Sequence, residues 1–183
     1  DGNHYFAVSL TPDLPSQSDG PRHVVVLFDT SASQTGAYRE TAFAALESCL
    51  SKLGRQDQVA IMAVDLEARP LQSGFQPAGN PSVAGALAAL QDVSPLGSSD
   101  MERALRAGLD QMTELQGGSR SILYIGDGLS KANLLGSDSF RALIGSLRTE
   151  QVSVNSYAVG PHVDAQLLAA LANQTGGNLY VDE

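Results

Sequence analysis

Unbroken apolar runs constrain the fold of this chain more than any other feature. Residues 23–28 (HVVVLF), 58–65 (QVAIMAVD) and 121–125 (SILYI) are mostly aliphatic and lack regular polar alternation. A strand that faces water on one side alternates apolar and polar residues, whereas a strand covered on both faces does not. The three runs therefore predict central strands that are buried on both faces.

Segments with helical periodicity separate these runs. Between residues 35 and 53, apolar side chains such as Ala42, Leu46 and Leu53 recur at helical spacing. The whole pattern predicts helices over residues 35–53, 81–90, 100–115, 139–151 and 164–174, strands over 23–28, 58–65, 121–125, 152–159 and 178–181, and a turn with a short edge strand in 66–76 that ends before Pro77. Strands that alternate with helices of this length predict an α/β fold, a doubly wound, mostly parallel central sheet flanked by helices on both faces.

The amino-terminal segment has a different character. Phe6, Val8 and Leu10 alternate with smaller residues and predict a short strand, and residues 11–22 contain three prolines and favour a linker. The chain begins with Asp and not with Met, so we expect it to be a piece of a longer protein. Residues 1–21 are thus predicted to be a strand and linker, and residues 22–183 a single domain of ordinary size.

Composition limits the classes of partner. The formal net charge is −9 and the 11 basic residues form no cluster, which disfavours nucleic acid and anionic membranes as partners. No apolar run approaches the length that spans a bilayer, so membrane insertion is not expected. The single cysteine, Cys49, excludes an intramolecular disulfide. The sequence does not predict an oligomeric state.

Polar oxygens follow the apolar runs at three places. Asp29, Ser31 and Ser33 follow the first run, Asp127 follows the third, and Ser99 lies in the loop that opens the helix between them. Ligands of open parallel sheets bind at the carboxyl ends of the strands, so we expect the three loops to meet at one edge. Carboxylate and hydroxyl oxygens are ligands for hard divalent cations, and the lack of a nearby His or Cys disfavours zinc.

These motifs carry a resemblance to a known family. An Asp-x-Ser-x-Ser loop, a hydroxyl in a Gly-x-Ser-Asp loop at residues 97–100 and an Asp-Gly pair after an apolar strand resemble the von Willebrand factor type A (VWA) domain over residues 22–183. The resemblance implies a Rossmann-like fold with a metal-ion-dependent adhesion site (MIDAS). Carried over by position, the metal ligands would be Asp29, Ser31, Ser33, Ser99 and Asp127.

The resemblance also implies a function. The domain would bind Mg²⁺ (or Mn²⁺ or Ca²⁺), and the ion would accept an acidic side chain from a protein partner, without catalysis. The leading strand and linker resemble the inter-alpha-trypsin inhibitor heavy chain subgroup. An extracellular or cell-surface location is suggested by the resemblance alone.

The chain departs from the family pattern at a few positions. Ser99 stands where the family usually has Thr, which keeps the hydroxyl and removes a methyl group. Gly126 stands where Thr or Ser is common, and we expect it to loosen the Asp127 loop. Ala32 and Gln34 replace the Gly and Met that are frequent in the subgroup, with little expected effect on coordination.

Two other functions stay open at this point. The segments 28–31 and 125–128 also resemble, in pieces, the haloacid-dehalogenase phosphohydrolases. Those enzymes need a second Asp two residues after the nucleophile as general acid and base, and Ser31 occupies that position, so the chain is not expected to be an enzyme. The other alternative is a domain that binds partners without a metal.

Some of the singled-out residues also have purely structural interpretations. Ser33 is a residue type that caps helices, and Asp100 would supply a favourable charge at a helix start. Cys49 lies on the apolar stripe of its helix and is expected to be an inert core residue.

Overall fold

The computed structural model describes residue 9 and residues 20–113, 115 and 117–182. The predicted amino-terminal strand at Phe6–Leu10 and most of the predicted linker therefore lie outside the described residues.

The described residues form a sheet of seven strands at the centre of the domain. Its strands are β1 (Arg22–Asp29), β2 (Gln58–Val64), β3 (Ala68–Pro70), β4 (Gln76–Pro77), β5 (Ser119–Gly126), β6 (Val152–Ala158) and β7 (Leu179–Val181). The strand order is β3-β2-β1-β5-β6-β7, and β4 also pairs with β2. Strands β1, β2, β5, β6 and β7 are mutually parallel, whereas β3 and β4 run antiparallel to β2.

Within the part of the chain that the structure describes, five helices cover the two faces of this sheet. They are α1 (Ala37–Ser51), α2 (Pro81–Asp92), α3 (Met101–Asp110), α4 (Ser137–Thr149) and α5 (Ala165–Thr175). On one face, α1 and α2 pack against Val24, Val26 and Phe28 of β1. On the other face, α3, α4 and α5 pack in the cluster that contains Val25 and Leu27. The predicted doubly wound α/β fold is confirmed.

The apolar runs lie where their patterns predicted. Every residue of β1 from His23 to Asp29 is buried, because β1 sits between β2 and β5 and beneath helices on both faces. Its register places Asp29 beside Val64, and Phe28 beside Ile125. The carboxyl ends of the three central strands therefore lie at the same edge of the sheet.

The ends of several elements differ from the sequence-based boundaries. Helix α1 begins at Ala37 after Gly36, with no side-chain cap, so Ser33 does not have the predicted capping role. Helix α3 ends at Asp110 and is followed by a turn at 111–113, well before the predicted end at residue 115. Asp100 precedes α3 as its N-cap and accepts a hydrogen bond from the Arg103 N–H, which fits the expected role at a helix start.

Two smaller predictions also need correction. Strand β4 includes Pro77, which pairs with Gln58 and so extends past the predicted end of the edge strand. Proline is tolerated there because β4 is a short strand at the margin of the sheet. Cys49 is only half-buried, since it lies beside the fully buried stripe of α1 and not within it.

Among the described residues, no helix is both long and apolar enough to cross a membrane.

Candidate metal centre

Three loops meet at the carboxyl edge of the sheet. The β1–α1 loop carries Ser31 and Ser33, the α2–α3 loop carries Ser99, and the β5–α4 loop begins with Asp127. Backbone hydrogen bonds join the first two loops, from the Ala32 N–H to the Gly97 carbonyl at 3.1 Å and from the Leu96 N–H to the Thr30 carbonyl at 3.0 Å.

The second and third loops are also joined. The Ala132 N–H donates to the Ser99 carbonyl at 3.2 Å, and the Met101 N–H donates to the Ser130 hydroxyl at 3.1 Å. The backbone at this edge is thus fixed by pairing among the loops themselves.

Asp29 is the most enclosed carboxylate at this edge, with no exposed surface. Its Oδ1 accepts hydrogen bonds from the Ser31 N–H at 2.8 Å and from the Ser99 hydroxyl at 2.9 Å. Its Oδ2 accepts a hydrogen bond from the Tyr124 hydroxyl at 2.8 Å. Donors from three different elements therefore fix the orientation of this carboxylate.

The two serines of the first loop lie side by side. The hydroxyl oxygens of Ser31 and Ser33 are 3.0 Å apart, with Ser31 5% exposed and Ser33 half-buried. Ser31 and Ser99 each donate a hydrogen bond to Asp29, and Ser33 is linked to this group through the Ser31 hydroxyl.

Asp127 is the fifth residue that was expected from the sequence, and it begins the third loop. It is almost fully buried, and its Oδ1 accepts a hydrogen bond from the Leu129 N–H at 2.9 Å. Its negative charge reaches Asp29: burial raises the pKa of Asp29, and repulsion from Asp127 raises that pKa further, while the hydrogen bond from the Ser31 N–H lowers it. Asp127 is thus close enough to disfavour the ionised form of Asp29.

The two carboxylates have no cationic partner in residues 20–113, 115 and 117–182. Among the described residues, neither Asp29 nor Asp127 forms an ion pair with Lys, Arg or His. Nor do the described residues contain any cluster of three or more His, Cys, Asp and Glu side chains. Buried carboxylates are costly unless they are paired or coordinate a metal. Two buried carboxylates and three hydroxyls on loops that meet at one edge of the sheet therefore provide oxygen donors that suit a hard cation such as Mg²⁺, and they do not resemble a zinc site.

Two residues of this centre are not identified by the sequence pattern. Tyr124 lies three residues before Asp127, within an apolar run, and is fully buried. Burial raises its pKa well above the ordinary tyrosine value, and the charge of Asp29 adds to this effect. The sequence feature that could have identified Tyr124 is its hydroxyl within an aliphatic run, because a buried tyrosine usually needs a hydrogen-bond partner.

Gln34 is the second such residue. It is fully buried, and its Nε2 donates to the Val159 carbonyl at 3.0 Å. Its side-chain oxygen has no hydrogen-bond partner among the described residues. A buried acceptor of this kind is satisfied when an ordered water donates to it.

Gly126 has a different role from the loosening that was expected of it. A Cβ atom at this position would lie 2.4 Å from the Asp29 Cβ, 2.7 Å from the Tyr124 hydroxyl and 2.8 Å from the Asp29 Oδ2. The absence of a side chain at Gly126 therefore lets Asp29 and Tyr124 pack against the end of β5. The Gly126 carbonyl also accepts a hydrogen bond from the Val159 N–H at 3.0 Å.

Comparison with known proteins identifies the family. A sequence model of the von Willebrand factor type A domain matches residues 22–181, which is most of the chain. The chain belongs to the von Willebrand factor type A domain family. Domains of this family are generally modules for protein interaction.

Solved structures share the fold at low sequence identity. A von Willebrand factor type A protein from Catenulispora acidiphila is 16% identical with a TM-score of 0.78, over 90% of this chain and 39% of that one. The SpRpn10 VWA domain is 9% identical with a TM-score of 0.68, and the match covers 88% of both chains. The mussel byssus proximal thread matrix protein 1, described with a zinc-occupied MIDAS motif, is 16% identical with a TM-score of 0.68, over 88% of this chain and 41% of that one. At these identities the matches establish the fold alone.

Proposed function

We propose that this domain is a divalent-cation-dependent protein-binding module. Asp29, Ser31, Ser33, Ser99 and Asp127 hold the cation, and a protein partner adds an acidic side chain to it. The observation that carries the proposal is a pair of buried carboxylates, Asp29 and Asp127, at the carboxyl edge of the sheet, with no basic partner among the described residues. Asp29 accepts hydrogen bonds from the Ser31 N–H and the Ser99 hydroxyl, and the Ser31 hydroxyl lies beside that of Ser33.

The spacing of the hydroxyls supports this assignment. Mg²⁺ takes six oxygen ligands in an octahedron at about 2.0–2.1 Å, so neighbouring ligand oxygens lie about 2.9 Å apart. The oxygens of Ser31 and Ser33 are 3.0 Å apart without any rearrangement. These two hydroxyls therefore suit adjacent positions on one ion.

The charge of the donor set supports the role of an acidic partner. Asp29 already accepts three hydrogen bonds from protein groups, so few of its lone pairs are free to bind a cation. Its main contribution to the centre is therefore its negative charge. A bound cation would act as a Lewis acid, and with three neutral hydroxyls in its donor set it would remain able to attract a further carboxylate. The all-oxygen donor set favours Mg²⁺, Mn²⁺ or Ca²⁺, although the mussel relative is described with zinc at its MIDAS motif.

The phosphohydrolase alternative receives less support. An attacking carboxylate needs a free oxygen and a proton-transfer group beside it. Both oxygens of Asp29 accept hydrogen bonds, and the position two residues on is Ser31, whose hydroxyl faces Ser33. This arrangement positions a carboxylate well but does not free it to attack.

Calorimetric titration tests the metal-binding part of the proposal. We expect wild-type protein to bind one Mg²⁺ or Mn²⁺ per chain, and the Asp127→Ala variant to lose that binding. Asp110→Ala removes an exposed carboxylate at the end of α3 and is the matched control, with unchanged binding expected. Wild-type protein that binds neither cation, or an Asp127→Ala variant that binds as well as the control, contradicts the proposal.

Selection from a displayed peptide library tests the partner. We expect Asp- or Glu-containing peptides to be enriched in the presence of Mg²⁺ and released by EDTA. A parallel library with Asn and Gln in place of Asp and Glu should yield no EDTA-sensitive binders. Enrichment that EDTA does not affect would favour the alternative of a metal-free interaction domain.

A further inference from the structure

Tyr124 connects two of the loops from beneath the candidate metal centre. Its hydroxyl donates to Asp29 Oδ2 at 2.8 Å and accepts a hydrogen bond from the Gly128 N–H at 3.0 Å. Asp29 ends β1 and Gly128 lies in the β5–α4 loop, so one buried oxygen joins the first loop to the third.

The hydroxyl has no packing purpose of its own. Phenylalanine would fill nearly the same volume in this core, where Tyr124 is fully buried. Burying a hydroxyl is unfavourable unless hydrogen bonds compensate for its lost hydration. Both hydrogen bonds of the Tyr124 hydroxyl are made with groups at the edge of the sheet where Asp29 and Asp127 lie, so the hydroxyl stabilises the structure of that edge.

Tyr124 and Gly126 form a matched pair. A Cβ at Gly126 would lie 2.7 Å from the Tyr124 hydroxyl and 2.8 Å from the oxygen of Asp29 to which that hydroxyl donates. Any side chain at position 126 would therefore crowd the Tyr124–Asp29 hydrogen bond. In this chain a hydroxyl reaches the space beside Asp29 from position 124, and the glycine two residues later leaves room for it.

We propose that Tyr124 is a positioning residue for the metal centre. Its hydroxyl holds Asp29 Oδ2 on the side of the sheet and leaves Oδ1 among the donors of Ser31 and Ser99. It also fixes the backbone just after Asp127, so that both carboxylates of the centre are held in one arrangement. This inference rests on the proposed cation binding and adds a residue that acts through Asp29 without contacting the ion.

The Tyr124→Phe variant tests the inference by Mg²⁺ titration calorimetry. Loss of an outer hydrogen bond to a metal ligand typically weakens metal binding by about 10- to 100-fold, and we expect a rise of that size in the Kd for Mg²⁺. Tyr157→Phe is the matched control, because its hydroxyl bonds to Asp182 on an exposed part of the sheet and should leave the Kd unchanged.

The Kd separates positioning from a purely structural role. A structural role lowers the thermal midpoint of Tyr124→Phe and leaves the Kd for Mg²⁺ at the wild-type value, and that result overturns the inference. An equal rise in the Kd of Tyr157→Phe overturns it too. Wild-type protein that binds no Mg²⁺ refutes the proposed function instead, so the two failures are distinguishable.

A second measurement applies if Tyr124→Phe does not fold. The chain has five tyrosines and no tryptophan, so its near-ultraviolet circular dichroism reports on tyrosine. A variant with every tyrosine except Tyr124 changed to phenylalanine should show a Mg²⁺-dependent change in the tyrosine band. If this variant binds Mg²⁺ with no such change, Tyr124 does not respond to the centre and the inference is wrong.

Discussion

Replacing Gly126 with alanine is expected to destabilise the domain and to disturb the candidate metal centre together. The added Cβ would lie 2.4 Å from the Asp29 Cβ and 2.7 Å from the Tyr124 hydroxyl. Both neighbours are fully buried and hydrogen-bonded to each other, so neither can move without losing a contact. Overpacking of a well-packed core costs about 1–3 kcal/mol, and we expect a loss in the upper half of that range.

Urea unfolding of the metal-free protein measures this loss. Gly145→Ala is the matched control, because Gly145 lies within α4 and a Cβ there would meet nothing within 4 Å. That substitution should raise the free energy of unfolding by about 0.5–1 kcal/mol, the usual advantage of alanine over glycine in a helix. A Gly126→Ala variant that unfolds at the wild-type urea concentration would refute the predicted overpacking at Asp29 and Tyr124. A destabilised variant with the wild-type Kd for Mg²⁺ would show that this overpacking does not affect metal binding.

Three further predictions follow from the hydrogen bonds and charges. Ser99→Ala should raise the Kd for Mg²⁺ at least about tenfold by calorimetry, whereas Ser99→Thr keeps the hydroxyl and should bind normally. Asp57→Asn should lower the free energy of unfolding in urea by about 2 kcal/mol at neutral pH, since Asp57 accepts hydrogen bonds from Arg22 and Gly54. Arg22 holds the pKa of Asp57 at about 2, below the pKa near 4 of an aspartate in the unfolded chain. The difference in free energy of unfolding between wild type and Asp57→Asn should therefore shrink as the pH falls from about 4 towards 2. Burial, with the nearby charge of Arg120, lowers the pKa of His23, so folding favours the neutral imidazole. The free energy of unfolding of the wild type should therefore decrease as the pH falls below about 6.5, the pKa of an unfolded histidine. Urea unfolding at a series of pH values should show a smaller decrease for His23→Leu.

The central part of the fold is predictable because its signals are local and strong. The runs at 23–28, 58–65 and 121–125 all became buried parallel strands, since continuous apolar strands are stable only between covered faces. Element ends are less predictable. Helix α1 starts at Ala37 and α3 ends at Asp110. Loop contacts and turns determine these ends, and apolar periodicity does not report on them.

The candidate centre was only partly visible in the sequence. Ser31 and Ser99 both donate hydrogen bonds to Asp29, but the metal and the roles of the ligands stay predictions. The contribution of Tyr124 was missed because its partner lies on another strand, and a tyrosine within an apolar run is also an ordinary core residue. The likeness to the inter-alpha-trypsin inhibitor heavy chain subgroup depends on the amino-terminal segment and stays a prediction, as does the extracellular or cell-surface location.

Anomalous diffraction from crystals grown with Mn²⁺ would locate a cation bound to the domain. We expect one strong peak at the carboxyl edge of the sheet, within about 2.3 Å of the hydroxyl oxygens of Ser31 and Ser33 and close to Ser99, Asp29 and Asp127. No peak at a saturating concentration of Mn²⁺, or a peak elsewhere while Ser99 keeps its hydrogen bond to Asp29 and Ser31 its hydrogen bond to Ser33, would contradict cation binding at this site.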